Sequence, residues 1–439
     1  MTDGGAMFRL AVRSIRYRAG SFVASLLTLT LGAIILMTFA ALLDTSADAD
    51  AQTAETLTIM ASVVGGWGLV IVTFAAASTL TLQVRQRSTE MALLRTVGAT
   101  PAQIRRLVLI ESVTLALIAV LIALVPSRLT SHVLVDLLKD ARQVPAELPA
   151  AFGPIAIGIG LGVTLASAVL AALLAARRAT TARQRGRSRA RLIAGAAVLV
   201  AGISSGTVVM VVFDGTEPAI MAFSGQGAIL CAIGLALLSP PIITAIATLL
   251  SPLRGVRGYL TVLNLRGHTH QMATALAPII LFTGLATGTL YMQRIENESG
   301  TRMPAHVAPT IETLNYVVVG MVTLFAAVML INTVVAATLY RRREFGQFRL
   351  AGSTRPQVLG MVGAEASVLA GTGVLFGTLA ATATVIPYSV VKTNSVLPDT
   401  TITIYLAVVL TAAALTLVTS VVSARRATNR PAIETVRVD

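Results

Sequence analysis

The chain contains the stretch RSTEMALLRTVGATPAQIRRLVLIE at residues 87–111 and a related stretch, RRREFGQFRLAGSTRPQVLGMVGAE, at residues 341–365. At a constant offset of 254 residues, eight of the 25 positions are identical. The identical pairs are Arg87 and Arg341, Glu90 and Glu344, Arg95 and Arg349, Gly98 and Gly352, Thr100 and Thr354, Gln103 and Gln357, Val108 and Val362, and Glu111 and Glu365. The sequence ARRAT also occurs twice, at 176–180 and 424–428. The chain is therefore predicted to contain two copies of one structural unit.

Long apolar stretches surround both copies of the repeat. Hydrophobic residues make up 55% of the 439 residues and charged residues 12%, against about 25% charged residues in an ordinary soluble domain. A helix that crosses a hydrocarbon core of about 30 Å needs about 20 mostly apolar residues. Ten such stretches occur, at residues 21–43, 57–83, 107–127, 151–176, 192–213, 219–250, 271–293, 313–340, 366–391 and 400–424. The sequence thus predicts an all-α polytopic membrane protein with ten transmembrane helices.

The repeat divides these ten spans into three groups. Spans one to four form a first four-helix repeat at residues 1–180, and spans seven to ten form a second at 254–439. A basic linker and spans five and six occupy residues 181–253 between them. An even number of spans separates the two starts, so both copies enter the membrane from the same side and the repeat is parallel. In the sixth span, Pro240 and Pro241 predict a kink or an end of the helix.

The basic residues lie almost entirely on one side of the predicted membrane. With the N-terminus inside, the inner segments hold 28 of the 34 lysine and arginine residues. Cytoplasmic loops retain these residues, so we expect a bacterial cytoplasmic membrane protein with both termini in the cytoplasm. The seven arginines within residues 177–191 are typical of a segment that lies on anionic lipid headgroups rather than one that binds nucleic acid.

The sequence lacks residues for several kinds of chemistry. Neither of the two lysines follows a glycine, so the chain has no P-loop for nucleotide phosphates, and it has no His-Glu-x-x-His motif. Cys231 lies in an apolar span and is expected to be a small buried hydrophobe. Glu111 and Glu365 lie near the inner mouths of two spans, where we expect pairing with inner-loop arginines such as Arg106 rather than a midplane ion site. We therefore expect no catalysis, no metal site and no cofactor in this chain.

Each copy of the repeat has a short inner segment between its second and third spans. We call residues 85–103 the first connecting element and residues 341–357 the second connecting element. In each, a short helical stretch is followed by a glycine, Gly98 or Gly352, which favours a helix C-cap. Thr100, or the Ser-Thr pair of the second element, then precedes a proline, as is typical of an N-cap and the first turn of a new helix. Each element is thus expected to form a short helix, a tight turn and the start of the next span.

Both connecting elements resemble the Glu-x-x-x-x-Arg-x-x-Gly signature of the FtsX-like permease family, the membrane subunits of MacB-type (type VII) ABC transporters. In the first element the signature is Glu90, Arg95 and Gly98, and the second element repeats it 254 residues later. In that family the element touches a separate ATPase, which binds ATP and Mg. The resemblance therefore implies ATPase docking at Glu90, Met91, Leu94, Arg95, Gly98, Glu344, Phe345, Phe348, Arg349 and Gly352.

The resemblance also implies a function. A permease subunit of this kind would couple ATP hydrolysis by one or two copies of the ATPase to export or extraction of a lipophilic substrate, such as an antimicrobial peptide, an antibiotic or a lipid. The ten-helix layout is similar to that of the BceB-like branch. However, the loops at about 44–56 and 294–312 are too short for the extracytoplasmic domains of MacB-like and BceB-like members. Trp67 and Asn332 are candidates either for substrate contact or for helix packing.

Three other interpretations stay open at this point. A non-transporting sensor or scaffold would use movement of the ATPase to signal antibiotic or envelope stress to a membrane kinase or to an extracytoplasmic partner. An ion-coupled secondary transporter would need ionisable side chains inside the membrane, and the predicted spans place none at mid-depth. Finally, the charged residues of the two signatures could simply anchor their loops at lipid headgroups.

Overall fold

A computed structural model of the chain describes residues 19–86, 93–140, 142–180, 185–213, 219–251, 262–263, 265–267, 269–298, 319–320, 323–324, 326–335, 337–338, 341–396 and 402–429. Nearly all of these residues are helical, and none of them lies in a β-strand. The helices are α1 (Ala19–Ser46), α2 (Ala51–Gln86), α3 (Pro101–Asp140), α4 (Pro154–Thr180), α5 (Arg185–Val212), α6 (Ala219–Leu237), α7 (Ser239–Leu249), α8 (Thr269–Glu298), α9 (Arg342–Leu350), α10 (Arg355–Thr393) and α11 (Ile402–Thr428). The protein is an all-α polytopic membrane protein, as predicted.

Within the described residues, eight helices are long and apolar enough to cross a membrane, namely α1 to α5, α8, α10 and α11. The pair α6 and α7 is bent by 63° at Leu238, and it counts as a ninth span if the pair is taken together. Pro240 and Pro241 lie in the first turn of α7, where proline starts a helix well but cannot continue one. The kink predicted in the sixth span is thus confirmed. A shorter apolar helix, Ala326–Val335, falls within the predicted eighth span, and the count of ten stays a prediction.

The chain divides into two compact units, one comprising Met1–Gln184 and Arg302–Met321 and the other comprising Arg185–Thr301 and Val322–Asp439. In the first unit, α1 packs against α2, α3 and α4. A core cluster of buried residues joins all four helices: Leu29, Ala76, Leu80, Leu115, Ala116, Ala119, Ala168 and Ala171. Small residues permit this close approach, since a Cβ added at Gly160 would lie 2.3 Å from Met37 Cγ.

At the end of the first unit opposite the first connecting element, a side chain of α1 caps the start of α4. The carboxylate of Asp44, at the end of α1, accepts the N–H groups of Ile155 and Ala156 at 3.0 and 2.7 Å. These are two of the N–H groups that the start of α4 leaves without an intrahelical partner. A Cβ at Gly153 would lie 2.6 Å from Asp44 Oδ1, so only glycine fits there without a shift. The loop between α1 and α2 spans just residues 47–50, which leaves no room for a domain at that point.

The second unit is built around α8. In the most apolar 18-residue stretch of α8, 89% of the residues are buried. This helix packs against α6, α7, α10 and α11. A Cβ at Gly373 of α10 would lie 2.4 Å from Ile279 Cγ2, so these two helices touch backbone to side chain. Helices α5 and α6 cross equally closely, because a Cβ at Gly202 would lie 2.6 Å from Cys231 Sγ. Cys231 is buried, as predicted.

Candidate functional site

The two connecting elements share one backbone turn. Gly98 and Gly352 have φ angles of 100° and 96°, in the left-handed region that residues with a Cβ rarely adopt. In the first element the N–H of Ala99 donates to the carbonyl of Leu94 at 2.8 Å, and the equivalent bond of the second element is 2.9 Å long. This six-to-one hydrogen bond defines a Schellman motif, which gives the last carbonyls of a helix a partner. The predicted glycine C-caps are confirmed in both elements.

A capping box starts the helix that follows each turn. In the first element the N–H of Thr100 donates to Gln103 Oε1 at 2.9 Å, and the N–H of Gln103 donates to Thr100 Oγ1 at 3.2 Å. In the second element the N–H of Thr354 donates to Gln357 Oε1 at 2.8 Å in the same arrangement. A proline lies in the first turn of both α3 and α10. The predicted helix start is thus confirmed in both copies, with Thr354 rather than Ser353 as the second cap.

Apolar side chains are exposed on the first connecting element. In the helical residues 93–96 and the turn that follows, Leu93 is 60% exposed, Leu94 39% and Val97 87%. Arg95 lies between them and is also exposed. A cation beside a patch of apolar side chains is well suited to a protein partner, since the apolar groups gain from burial and the charge sets orientation.

The second connecting element carries different chemistry at the same surface positions. Gln347 and Ala351, which are equivalent to Leu93 and Val97, are exposed as their counterparts are. One is polar and the other is small. The two elements therefore share the exposure of these two positions, whereas only the first element has apolar side chains of leucine or valine size at them.

The aromatic side of α9 faces inward. Phe345 is 1% exposed and lies in a cluster with residues from the start of α10 and the end of α11: Val358, Met361, Val362, Ala424 and Ala427. Phe348 is partly buried against the same cluster, and Leu350 is 55% exposed. The buried ring of Phe345 thus packs α9 against α10 and α11.

Arg349 connects the other end of α9 to α11. Its Nη1 donates to the carbonyl oxygen of Thr428 at 2.9 Å. Thr428 is the last residue of α11, where the carbonyl groups carry a partial negative charge that a cation stabilises. The arginine of the second signature is therefore a link between helices as well as a surface cation.

A buried ion pair lies at the start of α9. The guanidinium of Arg341 donates through Nη1 and Nη2 to the carboxylate of Glu365 on α10, with Nη2 3.3 Å from Oε1. Its Nε donates to Glu344 Oε2 at 2.9 Å, and its Cζ lies 5.5 Å from the centre of the Phe345 ring. The side chains of Arg341 and Glu365 are 6% and 3% exposed. Burial opposes the charge of Arg341, but the two carboxylates outweigh it and raise the pKa of this arginine.

The predicted pairing of Glu365 with an arginine is confirmed, and its partner is Arg341, which is not among the predicted site residues. The repeat contained the signal that could have found it. Arg87 and Glu111 in the first copy, and Arg341 and Glu365 in the second, are identical pairs with the same separation of 24 residues. Glu111 is 4% exposed, and Arg87 lies outside the described residues.

The ten residues predicted to dock an ATPase differ in exposure. The exposed ones are Leu94, Arg95, Gly98 and Gly352. The partly exposed ones are Glu344, Phe348 and Arg349, and the buried one is Phe345. Glu90 and Met91 lie outside the described residues. Exposure alone does not test docking, so the docking role stays a prediction for all ten residues.

The two candidate substrate contacts lie in different surroundings. Trp67 is 8% exposed on α2 of the first unit, and Asn332 is partly buried on the short helix Ala326–Val335 of the second. Among the described residues, no group of three or more histidine, cysteine, aspartate or glutamate side chains could hold a metal ion.

A comparison with known protein families places part of the chain in a family. A family model described as FtsX-like permease C-terminal matches residues 62–183 and 316–432, which together are more than half of the chain. The two matched segments begin at residues 62 and 316, and so they differ by the offset of 254 that relates the two connecting elements. Each segment contains one connecting element. A search of curated proteins gives no match.

Proposed function

The chain belongs to the FtsX-like permease family, and from this we propose that it couples ATP hydrolysis by a separate ATPase to the export or extraction of a lipophilic substrate. Members of this family are membrane permease components of ABC-type systems that work with an ATPase subunit. The substrate class that we propose is an antimicrobial peptide, an antibiotic or a lipid. In this proposal the connecting elements lie in the cytoplasm, and one permease chain binds two copies of the ATPase.

The observation that carries the proposal is the identical turn in the two connecting elements. Two copies of a left-handed glycine, a Schellman motif and a capping box hold the two short helices in the same way against the helices that follow. A loop that only anchors at headgroups has no need of this geometry. Two connecting elements that bind two copies of one ATPase do require it, because equivalent partners contact equivalent shapes.

The chemistry of the first element supports a protein partner. Leu93, Leu94 and Val97 are exposed beside Arg95. Burial of apolar surface contributes about 25 cal/mol per Å², so an ATPase groove that covers these side chains would gain affinity. Glu90 and Met91 belong to the same proposed interface on the basis of the family signature.

The short loop between α1 and α2 supports a lipophilic substrate. Residues 47–50 are too few for a folded domain, so at this point the first unit has no domain that could collect a substrate from outside the membrane. A substrate that already lies in the bilayer needs no such domain. In this proposal Trp67 and Asn332 are packing residues unless substitution changes substrate preference.

The proposal is tested by transport in proteoliposomes that contain the tagged permease and the ATPase that co-purifies with it in the presence of vanadate and ATP. The probes are a fluorescent phosphatidylcholine and a cationic antimicrobial peptide. We expect ATP-dependent movement of at least one probe that survives collapse of the proton gradient. Failure to capture an ATPase refutes the proposal, and movement that stops with the gradient indicates an ion-coupled carrier. Capture and ATP hydrolysis without movement of either probe favour a sensor.

A further inference from the structure

Helix α9 is linked to two different spans of the second unit, one at each end. Arg341, which precedes its first residue, is paired with Glu365 of α10. Near its last residue, Arg349 donates to the final carbonyl of α11. Between these links Phe345 is buried against both α10 and α11. A nine-residue helix held at both ends and in the middle cannot rotate without moving the helices to which it is linked.

The ion pair is the part of this arrangement that stability alone explains least well. Taking an arginine and a glutamate out of water costs several kcal/mol per ion, and a well-packed apolar pair of similar volume is often as stable. A two-point contact between a guanidinium and a carboxylate gives fixed geometry, because the planar fork of Arg341 matches the two oxygens of Glu365 in one orientation. The ion pair therefore fixes the position of α9 relative to α10.

The surroundings of the pair place it where helices of the second unit meet. A small cavity of about 40 Å³ adjoins Arg341 and Glu365, and its other walls come from α8, α9, α10, α11 and the helical residues before Arg341. Glu344 of α9 shares the guanidinium with Glu365, so the first turn of α9 and the inner part of α10 are held by one side chain. The charged group thus adds a direct link between α9 and α10 to the turn at Gly352 and the packing of Phe345.

We propose that the Arg341–Glu365 ion pair transmits movement of the second connecting element into the membrane by making α9 and α10 move as one body. This inference rests on the proposed function, since an ATPase that binds α9 supplies the movement. Arg341 and Glu365 are positioning residues in this account. They are buried and lie beneath the docking surface, so the ATPase binds without touching them.

The test measures whether α9 and α10 keep a fixed distance when nucleotide is trapped. Spin labels are placed at Leu350→Cys and Leu375→Cys, two exposed positions on α9 and α10, in a Cys231→Ala chain complexed with the co-purified ATPase. We expect one distance that does not change on addition of ATP and vanadate. In Glu365→Gln we expect the ATPase to be captured as before, while ATP and vanadate now shift the distance.

The matched control is Glu296→Gln, which removes a carboxylate of α8 that pairs with Lys392 near the far end of α10 and leaves the Arg341–Glu365 pair intact. We expect it to keep the distance of the unsubstituted chain in both states. If Glu365→Gln does not fold, Arg341→Lys takes its place, because lysine keeps the charge and loses the two-point contact. For Arg341→Lys we expect nucleotide trapping to shift the distance by less than in Glu365→Gln.

The outcomes separate this inference from the proposed function. If the labelled chain with the intact pair captures no ATPase, both fail. If it captures the ATPase and Glu365→Gln shows the same unchanged distance, the inference alone is overturned. It is also overturned if Glu365→Gln loses capture, or if both pair variants fail to fold, because the pair would then serve assembly or folding rather than transmission.

Discussion

In the first connecting element the residues at two exposed positions are Leu93 and Val97, whereas the equivalent residues of the second element are Gln347 and Ala351. The backbone around them is the same, with φ angles near 100° at both glycines. The difference teaches that two requirements are separate in this protein. The glycine and the capping residues determine the shape of each element, and the residues at its surface determine how strongly a partner can be held.

The inward sides of the two elements differ as well. In the second element Phe345 and Phe348 contact a cluster formed by α10 and α11, and Arg349 adds a hydrogen bond to the end of α11. In the first element the described residues 93–98 are all exposed. In the proposed function, the first element is therefore the main contact surface for the ATPase, and the second is the element that is packed firmly against the spans of its own unit.

The largest effect is expected from truncating the buried aromatic of the second element. Phe345→Ala removes a ring that is 1% exposed and should lower the free energy of unfolding by about 3–5 kcal/mol. Val97→Ala, at an 87% exposed position of the first element, should change it by no more than about 0.5 kcal/mol. Unfolding in mixed detergent and SDS micelles measures both. Equal losses would contradict the difference in packing.

The shared turn predicts equal effects in the two elements. Gly98→Ala and Gly352→Ala each place a Cβ at a φ near 100°, which should cost about 1–2 kcal/mol of unfolding free energy. Asparagine tolerates this conformation better and serves as the control at both positions. The same unfolding assay applies. A loss at one glycine and none at the other would show that only one of the two turns is required.

Smaller equal effects are expected from the caps. Thr100→Ala and Thr354→Ala remove the side-chain oxygen of each capping box and should each cost about 1 kcal/mol. The matched variants Thr100→Ser and Thr354→Ser keep the hydroxyl group and should stay near the original stability. If serine is no better than alanine at either site, the capping box does not stabilise the start of the span.

These turns could be predicted from the sequence because their determinants are local. Gly98, Thr100 and Gln103 act within a few residues of each other, and so do their counterparts in the second element. The bend between α6 and α7 was predictable for the same reason, since Pro240 and Pro241 act on their own helix.

The direction in which α9 faces could not be predicted in this way. The sequence RREFGQFRL places Phe345 and Phe348 on one side of a helix, and such a side can face either a partner or the protein's own core. The repeat marks Arg341 and Glu365 as a candidate pair, but the burial and geometry of their contact depend on how α9 folds back on α10. In both cases the outcome depends on packing between helices, which the sequence pattern does not contain.

The central claim is that the first connecting element provides the main adhesive surface for an ATPase. The most direct test compares ATPase capture by the tagged permease with capture by a Leu93→Ser, Leu94→Ser, Val97→Ser triple variant. As a control, Leu350→Ser removes an exposed apolar side chain from the second element. We predict that the triple variant loses about tenfold or more in affinity while the control retains capture. Undiminished capture by the triple variant would contradict the account.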